Sequence, residues 1–234
     1  YGSTFLIFSE YAKNAIRMSA LMHLPVINIF THDSIGLGED GPTHQAVEQL
    51  TSLRIIPGMN VWRPADVTET AVSWQSSLEK LNGPSSLILT RQTLPEINRT
   101  KAQIKGIKKG GYILRDCKDK IDAILLSSGS ETHLCVEAAQ ELKNDGYGIR
   151  VVSIPCLEEF LSQPQSYQYK VIPQNIDNIL AVEAGIGVCW DNLIGKKGFK
   201  LTMNSFGLSA PGNEALKHFG FSSKNVIKQT KKLI

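Results

Sequence analysis

The feature that most narrows the fold of this chain is a recurrent alternation. Short, largely apolar runs, "TFLIF", "PVINIF", "SSLILT", "IDAILLSS" and "NILAVEAG", are separated by longer stretches with apolar residues at three- and four-residue steps. A strand that lacks polar alternation must bury both faces, and helices between such strands supply the cover. The pattern therefore predicts an α/β fold: two successive units, each a parallel or mostly parallel sheet covered by helices.

Local signals place the elements. "TFLIF" reads as a strand and "SEYAKNAIRMSALMHL" as a helix capped by Ser9, with Ala12, Ala15, Ile16 and Ser19 offering a close-packing face. Thr43 is positioned to cap a helix over "HQAVEQLTSLRII", whose apolar stripe is Ala46, Val47, Leu50 and Leu53. "DVTE" has the capping-box form, Asp66 at N-cap and Glu69 at N3, opening a helix through Leu81. Between Arg91 and Tyr112 the sequence turns polar and basic and ends in paired glycines, as an exposed linker does. A second α/β pattern follows and closes with two helices, "NEALKHFG" and "SSKNVIKQTKKLI". The predicted organisation is a first unit at 1–100, a linker at 101–111 and a second unit at 112–234.

Composition removes whole classes of function. A net charge of +3 without a sustained Lys/Arg run gives no footing for nucleic acid or a membrane surface, which leaves small molecules or another subunit as partners. No apolar run approaches the roughly 20 residues that span a bilayer. Cys117, Cys135, Cys156 and Cys189 show no CxxC spacing and read as reduced thiols, with no metal site suggested. The chain lacks a starting Met, and its first residues already read as the middle of a folded unit, so it is expected to be part of something longer.

The densest chemistry follows "PVINIF", in the loop "THDSIGLGEDGPTHQ". In an open parallel sheet, ligands bind beyond the carboxyl ends of strands. His32, Asp33, Asp40 and His44 lie on one such loop, and Arg91 ends another strand. Gly36, Gly38 and Gly41 would let the loop take positive φ and pass close to a ligand. His44, in the first turn after Thr43, would have its imidazole pKa lowered by the helix dipole. A neutral imidazole donates at one nitrogen and accepts at the other. Arg91 suits a bidentate bond to phosphate or carboxylate. The plainer readings are a glycine-rich turn and a surface ion pair. Phe5, Phe8 and Tyr11 either pack against a heteroaromatic ring or belong to the core. His23 reads as a helix-end group, "SSGS" at 127–130 as a weak anion nest, and Glu158 and Glu159 as a solvated helix turn.

Through "TFLIFSEYAKNAIRMSALM", "THDSIGLGEDGPTHQAVEQLTSLRIIPGMNVWRPAD" and "GPSSLILTRQTLP", and the later "KGGYILRDC", "VEAGI" and "SFGLSAPG", the chain resembles the transketolases along essentially its whole length. The resemblance implies the later part of a pyrimidine-binding domain followed by a Rossmann-like C-terminal domain. It implies an enzyme of the pentose phosphate pathway, cytoplasmic and homodimeric, that transfers a two-carbon ketol unit from a ketose phosphate to an aldose phosphate. The implied cofactor is thiamine diphosphate with Mg2+ or Ca2+, the metal ligands lying outside this chain. On this resemblance Phe8 lies against the aminopyrimidine, with Phe5 and Tyr11 completing the aromatic pocket. His32, Asp40 and His44 face the substrate, the two histidines in catalytic roles, and Arg91 binds the sugar phosphate. In the family, the glutamate that protonates the pyrimidine precedes "TFLIF", so these residues alone are expected to be inactive. Alternatives are a related ketol transferase such as dihydroxyacetone synthase, or a non-catalytic interaction or regulatory module if the chain is complete as given.

Overall fold

In the computed structural model, which describes residues 1–234, two separate sheets form, and no strand lies between Ile88 and Tyr112. The first sheet is wholly parallel, in the order β1 (Gly2–Phe5), β2 (Ile27–Thr31), β4 (Ser85–Ile88), β3 (Asn60–Trp62). The helices of this unit are α1 (Lys13–Leu21), α2 (Gln49–Arg54) and α3 (Val67–Glu79). The second sheet runs β5 (Tyr112–Arg115), β7 (Ile149–Ser153), β6 (Ala123–Ser127), β8 (Ile179–Ile186), β9 (Phe199–Met203). Only β5 is antiparallel within it. Helices α5 (Thr132–Asn144) and α10 (Ser223–Leu233) pack together on one side, and the shorter α6 (Leu157–Ser162), α7 (Gln165–Val171), α8 (Asp191–Ile194) and α9 (Gly212–His218) complete the unit. The α/β architecture is the one the apolar alternation dictates: every residue of β4 and β6 is buried.

Several local expectations are corrected. The first strand stops at Phe5, and Leu6–Ala12 forms a 3₁₀ segment before α1 begins at Lys13. Phe8 and Tyr11 therefore sit on that segment, and Ser9 is buried without capping anything. On α1, Ile16, Ser19 and Ala20 face inward, while Ala12 and Ala15 are exposed. The helix expected from His44 starts only at Gln49, because the backbone N–H groups of His44 and Gln45 both turn back to Gly41 O. Asp66 does cap α3, accepting from Glu69 N at 3.0 Å, but Glu69 answers Ala65 N rather than Asp66 N. His23 is the helix-end group expected: it occupies the left-handed position after α1, φ +55°, with bonds from His23 N to Ala20 O and from Leu24 N to Ser19 O closing a Schellman motif.

The two sheets share a core. Trp62 and Leu87 from the first and Leu114 and Leu125 from the second belong to one continuous buried cluster. The segment read as a linker contributes to it. Thr100 and Gln103 form a reciprocal capping box at the start of α4 (Lys101–Ile107), and Ile107 is fully buried. Main-chain bonds also cross between the units, from Arg63 N to Pro155 O (2.7 Å), Gly129 N to Arg63 O (2.9 Å) and Ile186 N to Val47 O (3.0 Å). Glu158 and Glu159 are not a solvated turn. Glu158 accepts from Val61 N at 3.1 Å and Glu159 from Asn60, docking α6 on β3, and burial pushes the Glu158 carboxyl up from its ordinary pKa.

Candidate functional site

The first sheet presents an aromatic array at its carboxyl edge. Phe5 ends β1, and its ring stacks on the His32 imidazole, which follows β2, at 3.6 Å between centroids. Phe8 lies parallel to Phe5 at 5.8 Å, tilted against Tyr11 at 5.9 Å, and edge-on to His44 at 5.5 Å. Both histidines and all three aromatic rings singled out in the sequence are thereby brought together. Tyr11 is 89% exposed and Phe8 only partly covered, so the array opens on one side.

His32 is held in an unusual state. Its φ of +57° lies in the left-handed region that side chains seldom enter. Nδ1 lies 2.9 Å from Thr31 Oγ1. Partial burial and the Arg91 charge lower its pKa, against the weaker opposing pull of Asp40 and Asp33. The neutral ring is thus favoured, able to donate at one nitrogen and accept at the other. His44 Nδ1 pairs with Thr43 Oγ1 at 3.0 Å. Because α2 begins five residues later, the helix dipole expected at His44 does not act there. Asp40 and Arg91 are exposed, and neither takes part in an ion pair. Asp33 is different. It is buried and accepts from Arg63 Nε (3.0 Å) and Nη2 (2.6 Å), so it serves the frame rather than the open face.

The loop between the two histidines is shaped by the second unit. Gly38 and Gly41 take φ of +104° and +75°, whereas Gly36 does not enter the positive region. A Cβ on Gly38 would lie 3.2 Å from Gly212 N, and one on Gly41 3.2 Å from Ser209 Cβ. The glycines therefore admit the chain at 209–212, not a ligand. Gln45, an amide that nothing in the sequence sets apart, fastens the loop from inside: Nε2 donates to Gly38 O (2.8 Å) and to Leu208 O (2.9 Å) in the second unit. The expected anion nest at 127–130 is also overturned, since Arg63 fills it, donating from Nη1 to Ser128 O at 2.8 Å. A Cβ on Gly129 would stand 2.6 Å from Arg63 Cζ.

No group of three or more His, Cys, Asp or Glu side chains is arranged to hold a metal ion. A cleft of about 530 Å³ is lined by Cys117, Lys120, Lys143 and Tyr147, and no residue of the aromatic array takes part in it. The array is an open wall rather than an enclosed cavity.

Comparison with known proteins gives a consistent picture. Residues 1–96 match the family described as "Transketolase, pyrimidine binding domain" and residues 110–222 the "Transketolase-like TK C-terminal domain". Transketolase 1 of Aliivibrio fischeri is 49% identical over all of this chain, and transketolase 2 of Escherichia coli 47%. The chain spans 35% of the length of each of these relatives. A Pichia stipitis transketolase in complex with sedoheptulose-7-phosphate superposes over the whole chain, and 33% of its own, with a TM-score of 0.92 at 40% identity.

Proposed function

The chain belongs to the transketolase family, and from that premise we propose that it forms part of an enzyme moving a two-carbon ketol unit from a ketose phosphate to an aldose phosphate. The observation that carries this reading is the array of Phe5, Phe8 and Tyr11 running directly into His32 and His44 at the carboxyl edge of the sheet. Flat rings with open faces fit the aminopyrimidine of thiamine diphosphate. When bound, that cofactor supplies the electron sink for carbon–carbon bond cleavage and formation.

The chain's own residues orient the sugar and handle its protons. Asp40, with no cation beside it to occupy its carboxylate, accepts a hydrogen bond from a sugar hydroxyl. His32 and His44 take and return protons at the hydroxyl and carbonyl oxygens. Arg91, exposed and unpaired, grips the sugar phosphate through two parallel N–H donors. The sugar phosphate carried by the Pichia stipitis relative supports this substrate class. The diphosphate and its Mg2+ or Ca2+ are assigned, on the family resemblance, to ligands outside these 234 residues.

A second copy of the chain is the proposed partner. Tyr11, Met18, Leu21 and Met22 leave an apolar strip exposed on the outer side of α1, next to the open array. Four unpaired cysteines suit a reducing cytoplasm, and no helix is long and apolar enough to cross a membrane. The test supplies full-length protein with thiamine diphosphate, Mg2+ and a ketose phosphate plus an aldose phosphate. Appearance of the two exchanged sugars, lost when the cofactor is omitted, is expected. Failure to transfer from any ketose phosphate overturns the reading.

A further inference from the structure

The most enclosed cation in the chain sits directly behind the open array. Arg63 is wholly buried and reaches both units at once. Its Nε and Nη2 hold Asp33, the residue immediately after His32, while Nη1 donates to Glu131 Oε2 (2.5 Å) and Ser128 O (2.8 Å) in the second unit. Glu131 is itself pinned, accepting from Ala184 N at 2.9 Å. The Arg63 main chain is fixed on both sides, to Pro155 O and Gly129 N, so the guanidinium has little freedom to follow a moving partner. A left-handed backbone at a non-glycine residue persists only where the surroundings over-determine it. Around His32 those constraints include the Phe5 ring stacked on its imidazole, the Thr31 hydroxyl at its Nδ1 and the Asp33 carboxylate clamped one residue on.

We infer that Arg63 is a positioning residue for His32: by tying Asp33 to Glu131 and Ser128 it uses the second unit to hold the imidazole over Phe5. This assigns the C-terminal unit a part in the site although none of its side chains belongs to the aromatic array. The reaction step affected rests on the function proposed above, whereas the geometric claim does not. A charged clamp in a dry interior resists displacement far more than a surface pair would. A shift of about 1 Å in a group that handles protons is worth as much as 10²-fold in rate.

The test uses full-length protein with isotope-labelled histidine and the variants Asp33→Ala and Arg63→Lys. Arg99→Lys serves as control, because Arg99 braces Asp66 and Glu69, a buried cluster that does not touch the His32 segment. The His32 ring resonance, displaced by the stacked Phe5, should move toward its ordinary position in the first two variants and stay in place in the control. The turnover number should fall roughly 10- to 100-fold while KM for the donor changes little, since Arg91 is untouched. Asp33→Ala leaves Arg63 paired with Glu131, so it carries the test even where Arg63→Lys fails to fold. An unmoved resonance in folded Asp33→Ala, or an equal movement in Arg99→Lys, overturns the inference. A moved resonance with unchanged turnover upholds the positioning of His32 and overturns its catalytic role instead.

Discussion

Two regions of this molecule carry dense charge, and they lie back to back. On the open face, His32, Asp40, His44 and Arg91 have little of their hydrogen-bonding capacity used. In the seam between the sheets, Arg54, Arg63, Asp33, Glu131 and Glu183 are buried and paired at 2.5–2.8 Å. Glu183 alone accepts from both terminal nitrogens of Arg54 at 2.8 Å, from Ser128 and from Trp190 Nε1. Burial by itself would push its pKa up; the Arg54 charge and these hydrogen bonds outweigh that and hold it down. The same residue types thus do opposite work. Satisfied, they fix how the two units meet; unsatisfied, they keep the free donors and acceptors that the proposed site calls for. Charge density in a sequence does not separate the two cases, whereas partner count in space does.

The largest effect is expected in the seam. Glu183→Ala strands Arg54 in a dry interior and should cost roughly 3–5 kcal/mol, read as a lower denaturant midpoint. Asp40→Asn on the open face should change stability by no more than about 0.5 kcal/mol. Equal losses would mean that Asp40 braces the fold as Glu183 does.

Arg91→Ala sharpens it from the other side. A charge-assisted bond to phosphate is worth about 1.5–3 kcal/mol, so kcat/KM for phosphorylated sugars should fall roughly 10- to 150-fold with stability unchanged. Hydroxypyruvate paired with a phosphate-free acceptor should be affected much less. Equal loss on both substrate types would move Arg91 into the structural class. Phe8→Ala comes next, weakening thiamine diphosphate by roughly 1 kcal/mol beyond the lost contact area. The comparison of cofactor dissociation constants with sugar KM values decides it, and an unaltered cofactor affinity would return Phe8 to the core.

The smallest effect is on pH. Because burial and Arg91 lower the His32 pKa below 6.5, the unfolded chain takes up that proton more readily. The contribution is complete above 6.5 and declines as pH falls through the folded value. His32→Gln should therefore flatten part of the acid limb of the stability profile. A steeper limb in the variant would contradict the sign of the shift.

Much of the candidate site was legible as residue types at a sheet edge. Phe5, Phe8, Tyr11, His32 and His44 could be gathered from sequence because strand ends in a parallel sheet converge, and because the long motif around the loop is distinctive. The role of Arg63 was not legible. It stands in "NVWRPAD" with nothing to mark it, since its partners Asp33 and Glu131 lie 30 and 68 residues away. The true start of α2 was hidden for a related reason: Ala46 and Val47 do belong to the core, but the backbone between Gly41 and Glu48 is held in turns by Gln45 and by the second unit.

The sequence by itself determined the two α/β units and the parallel first sheet, because strand length, apolar content and capping are properties of neighbouring residues. Which charges are buried and paired and which stay open to solvent was set by the tertiary structure alone. That choice depends on desolvation and on partners brought from distant parts of the chain. Asp33 and Asp40 are the same residue type in one loop, yet one is clamped by a buried guanidinium while the other faces solvent.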